Sequence, residues 1–154
     1  MFERFSRSAR AAVEDAVYEA GRRGDRRIGT EHLLLALLAD EELARLVGVD
    51  ASTANEAVDR LDRSALAAVG LTLGEFHHIP LSRSNRHTAS MTSGAKTVLK
   101  RSLAAAVSEK AKAITSRHMM VALLERNEPD PAATLLAALP VDRAALRERL
   151  SQAA

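Results

Sequence analysis

Ile28-Gly29-Thr30-Glu31-His32-Leu33-Leu34-Leu35-Ala36-Leu37-Leu38 decides the fold, because it joins a helix start to a dense apolar run and returns 86 residues later. The second occurrence is Ile114-Thr115-Ser116-Arg117-His118-Met119-Met120-Val121-Ala122-Leu123-Leu124. Isoleucine, histidine, alanine and two leucines recur at the same offsets without a gap, which marks the two segments as copies of one structural unit. Thr30 is expected to cap the helix through its hydroxyl, with Glu31 favouring the positive end of the helix dipole. Ser116 takes the capping role in the second copy. Leu33, Leu34, Leu37 and Leu38 supply the buried side, and Met119, Met120, Leu123 and Leu124 replace them, an exchange that cores accept readily.

Working outward, Phe5, Ala9, Ala12, Val13, Ala16, Val17 and Ala20 recur at three- and four-residue steps and predict a helix, with Ser6 as N-cap and Gly24 as its left-handed stop. Ala95, Val98, Leu99, Leu103, Ala106 and Val107 rebuild that stripe at the same 86-residue offset, capped by Thr92 or Ser93. Glu41 to Val47 predicts two turns ended by Gly48. Asp50 or Ser52 then caps a helix to about Leu61, and a further helix stops at Gly70. In the second copy a break at Asn127 to Pro131 precedes short helices over Ala132 to Leu139 and Val141 to Leu150, the last capped by Asp142. Val141-Asp142 matches Val49-Asp50 at an offset of 92, so the first copy is expected to be six residues shorter in its third helix.

No stretch shows strand alternation. The reading is an all-α chain of eight or nine helices, two pseudo-symmetric four-helix repeats packed as one compact domain over 1–154. Repeat one spans 2–76, a polar linker 77–90, and repeat two 91–150. One unit of this size with one apolar face per helix cannot close its own core, so the copies must pack together.

The chain has no cysteine, which excludes a disulfide framework and thiol catalysis and fits a reducing cytoplasm. No apolar run approaches the roughly 18 residues of a membrane span, and the charged N-terminus is unlike a signal peptide. Formal charge is −4 over residues 1–77, +7 over 78–126 and −1 over the rest, so a basic surface is expected in the middle of the chain. Nucleic-acid binding is the alternative that this block raises, but aromatic residues make up only 3% and offer little to stack on bases. His32 and His118 stand at equal places near helix starts, and His77, His78 and His87 cluster in the linker. None has the spacing of a known metal motif, so neither metal nor cofactor is expected. No phosphate loop, nucleophile elbow or carboxylate pair signals an enzyme.

The first copy carries Phe2-Glu3-Arg4-Phe5-Ser6, then Ala9-Arg10, then Ile28-Gly29-Thr30-Glu31-His32-Leu33-Leu34 in full, and His78-Ile79-Pro80 stands before the second copy. These motifs resemble the amino-terminal domain of the Clp unfoldases, above all the ClpC type, over essentially the whole chain. Without a Gly-x-x-x-x-Gly-Lys-Ser/Thr loop, the sequence reads as a free-standing domain of that kind. The resemblance implies recognition of substrates and adaptor proteins, of phosphoarginine-bearing proteins or of cyclic peptides, and regulation of Clp-dependent proteolysis as a decoy or adaptor. It places ligand contacts at the helix starts: Ser6, Thr30, Thr92 and Ser116 for phosphate, Glu31 for guanidinium, and Phe2 with Met91 on an apolar patch. Arg117 stands where the family pattern repeats the glutamate. That reversal implies either a second site that has turned to acidic groups or one that has lost its ligand, leaving Arg117 as a surface residue.

Overall fold

The structure, a computed structural model, describes residues 2–71 and 90–154, except the side chain of Phe2. After a 3-10 turn at Phe2–Arg4, repeat one comprises α1 (Arg7–Arg23), β1 (Arg27–Ile28), α2 (Thr30–Leu38), α3 (Glu41–Val47) and α4 (Ala51–Ala68). Repeat two comprises β2 (Ser90–Met91), α5 (Ser93–Ser108), α6 (Ser116–Leu124), α7 (Pro131–Ala138) and α8 (Arg143–Gln152). The linker histidines and Pro80 lie outside the described residues.

Local chemistry sets most helix ends. Ser6, Asp50, Thr92 and Asp142 each accept a first-turn amide hydrogen bond, from Ala9, Thr53, Ala95 and Ala145 respectively. Gly24 and Gly48 close α1 and α3 at φ 76° and 81°, the left-handed region where a β-carbon is costly. Three expectations change. The helix expected to stop near Leu61 runs on to Ala68, because no glycine or proline interrupts it there and Asp62 lies within the helix. Thr30 and Ser116 are the first helical residues rather than the caps. The caps are Gly29 and Thr115, one residue earlier.

The third correction concerns the extra residues of repeat two. They lie mainly in the connector before α7, since Ala39–Asp40 joins α2 to α3 while the segment from Glu125 to Asp130 joins α6 to α7.

The apolar core is one contiguous cluster drawn from both repeats. Ile28, Leu33, Leu34, Leu37, Ile114, Met119, Met120 and Leu123 are almost wholly buried within it. α2 and α6 are the central helices: α1 packs on α2, α5 packs on α6, and α2 touches α6. Among the described residues no helix is long and apolar enough to cross a membrane.

Two short pairings stitch the repeats together, and they are images of one another. β1 runs parallel to β2 with Ile28 opposite Met91, and Thr92 N–H donates to Ile28 O at 2.9 Å. Phe5 pairs in parallel with Ile114, and Ser6 N–H donates to Ile114 O at 2.8 Å. Each pairing carries the start of one repeat's second helix to the start of the other repeat's first helix.

Candidate functional site

The pairings gather the predicted site residues into two junctions. At the first, the start of α2, with Thr30 and Glu31, meets the start of α5, with Met91 and Thr92. At the second, the start of α6, with Ser116 and Arg117, meets the start of α1, with Ser6. The side chain of Phe2 is outside the described residues. Met91 is partly buried and packs against the core.

A buried histidine organises each junction. Gly29 N–H donates to His32 Nδ1 at 2.8 Å, and Thr115 N–H donates to His118 Nδ1 at 2.9 Å, so each imidazole reaches back to its own N-cap amide. With Nδ1 accepting, the ring hydrogen sits on Nε2. That hydrogen is given to Asp25 Oδ2 at 2.8 Å in the first junction and to Glu109 Oε2 at 3.0 Å in the second. The two acids come from the connectors after α1 and α5 but from positions two residues apart in the repeat register.

Around this common core the junctions differ. In the first, Thr30 is 1% exposed and its hydroxyl donates to Asp130 Oδ1 at 2.7 Å while accepting from Ala132 N at 3.2 Å, so it helps cap α7 rather than α2. Arg126 Nε holds the other Asp130 oxygen at 3.0 Å. A β-carbon on Gly94 would stand 3.1 Å from Asp130 Oδ2 and 3.3 Å from Thr30 Cγ2, so a larger residue there would press on both side chains.

Glu31 folds back over Gly29. Its Oε2 is shielded from solvent and has no hydrogen-bond partner among the described residues, and its Oε1 stands 3.8 Å from His32 Nδ1. Asp25, Glu31 and His32 present ligand-type atoms within 4.8 Å of one another. Both imidazole nitrogens are committed, however, and a metal on Nε2 would require an imidazolate while Gly29 holds Nδ1. The cluster is better matched to a donor-rich cation such as guanidinium, which needs carboxylates and no ring nitrogen.

In the second junction the cation is already present. Arg117 donates to Glu109 Oε2, and to Leu150 O at 3.3 Å. Its side chain is only 15% exposed and is already paired with a carboxylate. The Arg117 hydrogen bond is the main cause that holds the Glu109 carboxyl below its ordinary value, against the opposing cost of burial, and the His118 hydrogen bond assists. Ser116 makes one long contact, 3.4 Å to Ser8, and Ser6 is taken up in capping α1. Beside them opens a groove of about 700 Å³ lined by Asp40, Glu42, Leu43, Leu46, Glu109 and Arg117.

The sequence held no direct sign of Asp25, Glu109, Asp130 or the α3 wall. The unequal offsets, 86 before the second helix and 92 after the third, were the only trace of the longer connector that delivers Asp130.

A sequence model of the Clp repeat (R) N-terminal domain matches residues 4–126 and again 90–154. The chain belongs to that family. Comparison of this Clp-repeat domain with curated proteins gives no match. Among solved structures it is similar to the N-terminal domain of the chaperone ClpD from Arabidopsis thaliana, with TM-score 0.76 and 22% identity, covering 99% of this chain and 96% of that one. It is also similar to the Hsp104 N-terminal domain from Candida albicans, with TM-score 0.66 and 16% identity, covering 97% and 90%. At these identities the likeness establishes the double-repeat all-α fold.

Proposed function

We propose that this Clp-repeat domain is a protein-recognition module that binds substrate or adaptor segments, and that its first junction reads an arginine side chain, phosphorylated or free. The observation that carries the reading is Glu31, whose Oε2 is shielded and without a partner where two helix starts meet. A buried carboxylate oxygen without a donor is costly, and a guanidinium supplies two parallel donors to such a group. The flanking amides and the hydroxyl of Thr92 at the start of α5 favour an attached phosphate. In Clp-dependent proteolysis it would act as a decoy or an adaptor.

Two expectations lose support. A preference of the second junction for acidic groups is disfavoured because Glu109 already neutralises Arg117. Nucleic-acid binding gains no support from the family or the fold.

Titration with a phosphoarginine peptide, its arginine counterpart and a phosphoserine control tests the reading. Binding of the first two that falls at least roughly tenfold in Glu31→Ala is expected, the usual scale for losing a charged hydrogen-bonded contact. Affinity unchanged in that variant would reject the site.

A further inference from the structure

The groove at the second junction is a different kind of surface, and we propose that it docks a short basic segment of a partner protein, with lysine or arginine side chains alternating with apolar ones. This inference does not rest on Glu31 or on phosphoarginine.

Its walls carry Asp40, the N-cap of α3, Glu42 from α3 and Glu109 from the α5–α6 connector, against the single arginine Arg117. Asp40 and Glu42 have no ion pair among the described residues. Arg117 is spent on Glu109 and on Leu150 O, so the free field of the groove is negative. Leu43, Leu46 and Ala111 line the same groove. A volume of about 700 Å³ lies within the range of binding clefts and admits several side chains. Carboxylates beside leucine side chains complement a segment that presents both cations and apolar side chains. An anionic ligand would face the unpaired carboxylates of Asp40 and Glu42 and a guanidinium that is already paired.

The groove also has a structural origin. At the first junction the corresponding space is filled by Asp130, which the long connector carries to Thr30. At the second, the connector between α2 and α3 is only Ala39–Asp40, so α3 stays back and the space remains open.

The probe is a fluorescein-labelled octapeptide of alternating lysine and leucine, with a glutamate–leucine octapeptide as control, followed by anisotropy on the whole chain. The variant is Asp40→Asn with Glu42→Gln, which removes two charges while asparagine keeps the cap on α3. We expect the basic peptide alone to bind, roughly tenfold more weakly to the double variant and more weakly as salt rises from about 50 to 500 mM. Glu31→Ala should bind it as the wild type does, which separates this outcome from failure of the arginine-reading junction. Equal binding of both peptides, or equal binding by the double variant, would overturn the proposal. So would a dimer in sedimentation that the double variant abolishes, because the occupant would then be a second copy of this chain.

Discussion

The two junctions are built on the same frame and finished differently. Each has a histidine bonded to its N-cap amide and to a connector acid, and each joins the start of one repeat's second helix to the start of the other's first. In the first junction Thr30 is locked to Asp130 and Glu31 is left without a cation. In the second, Ser116 is nearly idle and Arg117 supplies the cation from within. Duplication therefore fixed the scaffold, and a connector length and one charge reversal gave its two halves different surfaces.

The largest expected effects test the shared frame. His32→Ala and His118→Ala each remove a buried ring and orphan an N-cap amide, so each is expected to cost about 2–4 kcal/mol in urea unfolding. If one is costly and the other neutral, the frames are not equivalent.

The next pair tests the difference. Thr30→Val keeps the shape of a side chain that is 1% exposed but deletes its bonds to Asp130 and Ala132, and should cost about 1–3 kcal/mol. Ser116→Ala removes one contact of 3.4 Å and should stay within about 0.5 kcal/mol. Equal losses would mean that the long connector is not what distinguishes the junctions.

What the sequence revealed follows the range of the interaction. Caps such as Ser6, Thr92 and Asp142 were legible because a short polar side chain bonds amides two or three residues away. The buried faces were legible because helical spacing puts Leu33, Leu34 and Leu37, or Met119, Met120 and Leu123, on one side. Thr30 was misplaced as a cap because its hydroxyl is claimed by Asp130, 100 residues on, and no local rule anticipates that. Glu31 and Arg117 stood out as a reversal, yet Arg117 is satisfied by Glu109, which approaches from a connector that no local rule aligns with it. The groove was invisible for the same reason, since it is made by what a short connector fails to bring.

A smaller effect separates the two charges. The folded Glu109 carboxyl titrates below its ordinary value of 4.5, mainly through its bond to Arg117. Its contribution is therefore present above that value and is lost as pH falls through the lower folded value. Glu109→Gln should lower stability near pH 7 by about 0.5–1 kcal/mol, a range set by its exposure to solvent, and the deficit should vanish in acid. Glu31→Gln, removing a charge without a hydrogen-bond partner, should cost only what the start of α2 gains from that charge, about 0.3 kcal/mol at pH 7. A deficit for Glu31→Gln as large as that for Glu109→Gln would show that Glu31 is already satisfied.

The smallest change in stability carries the sharpest test of the first junction. Thr115 stands in the second copy where Gly29 stands in the first, and Gly29 has φ −98° and ψ 176°, an extended conformation that threonine adopts freely. A β-carbon there would lie 2.2 Å from Glu31 Oε2, so the carboxylate must swing away. That movement is cheap because the atom is the end of a flexible side chain, and threonine is an acceptable N-cap, so Gly29→Thr should change stability by less than about 0.5 kcal/mol. If Glu31 reads an arginine from its position over Gly29, the same substitution should weaken phosphoarginine-peptide binding as much as Glu31→Ala does, in a protein of unchanged stability. Full affinity in Gly29→Thr would mean that the carboxylate does its work from elsewhere, and that glycine at this cap serves packing alone.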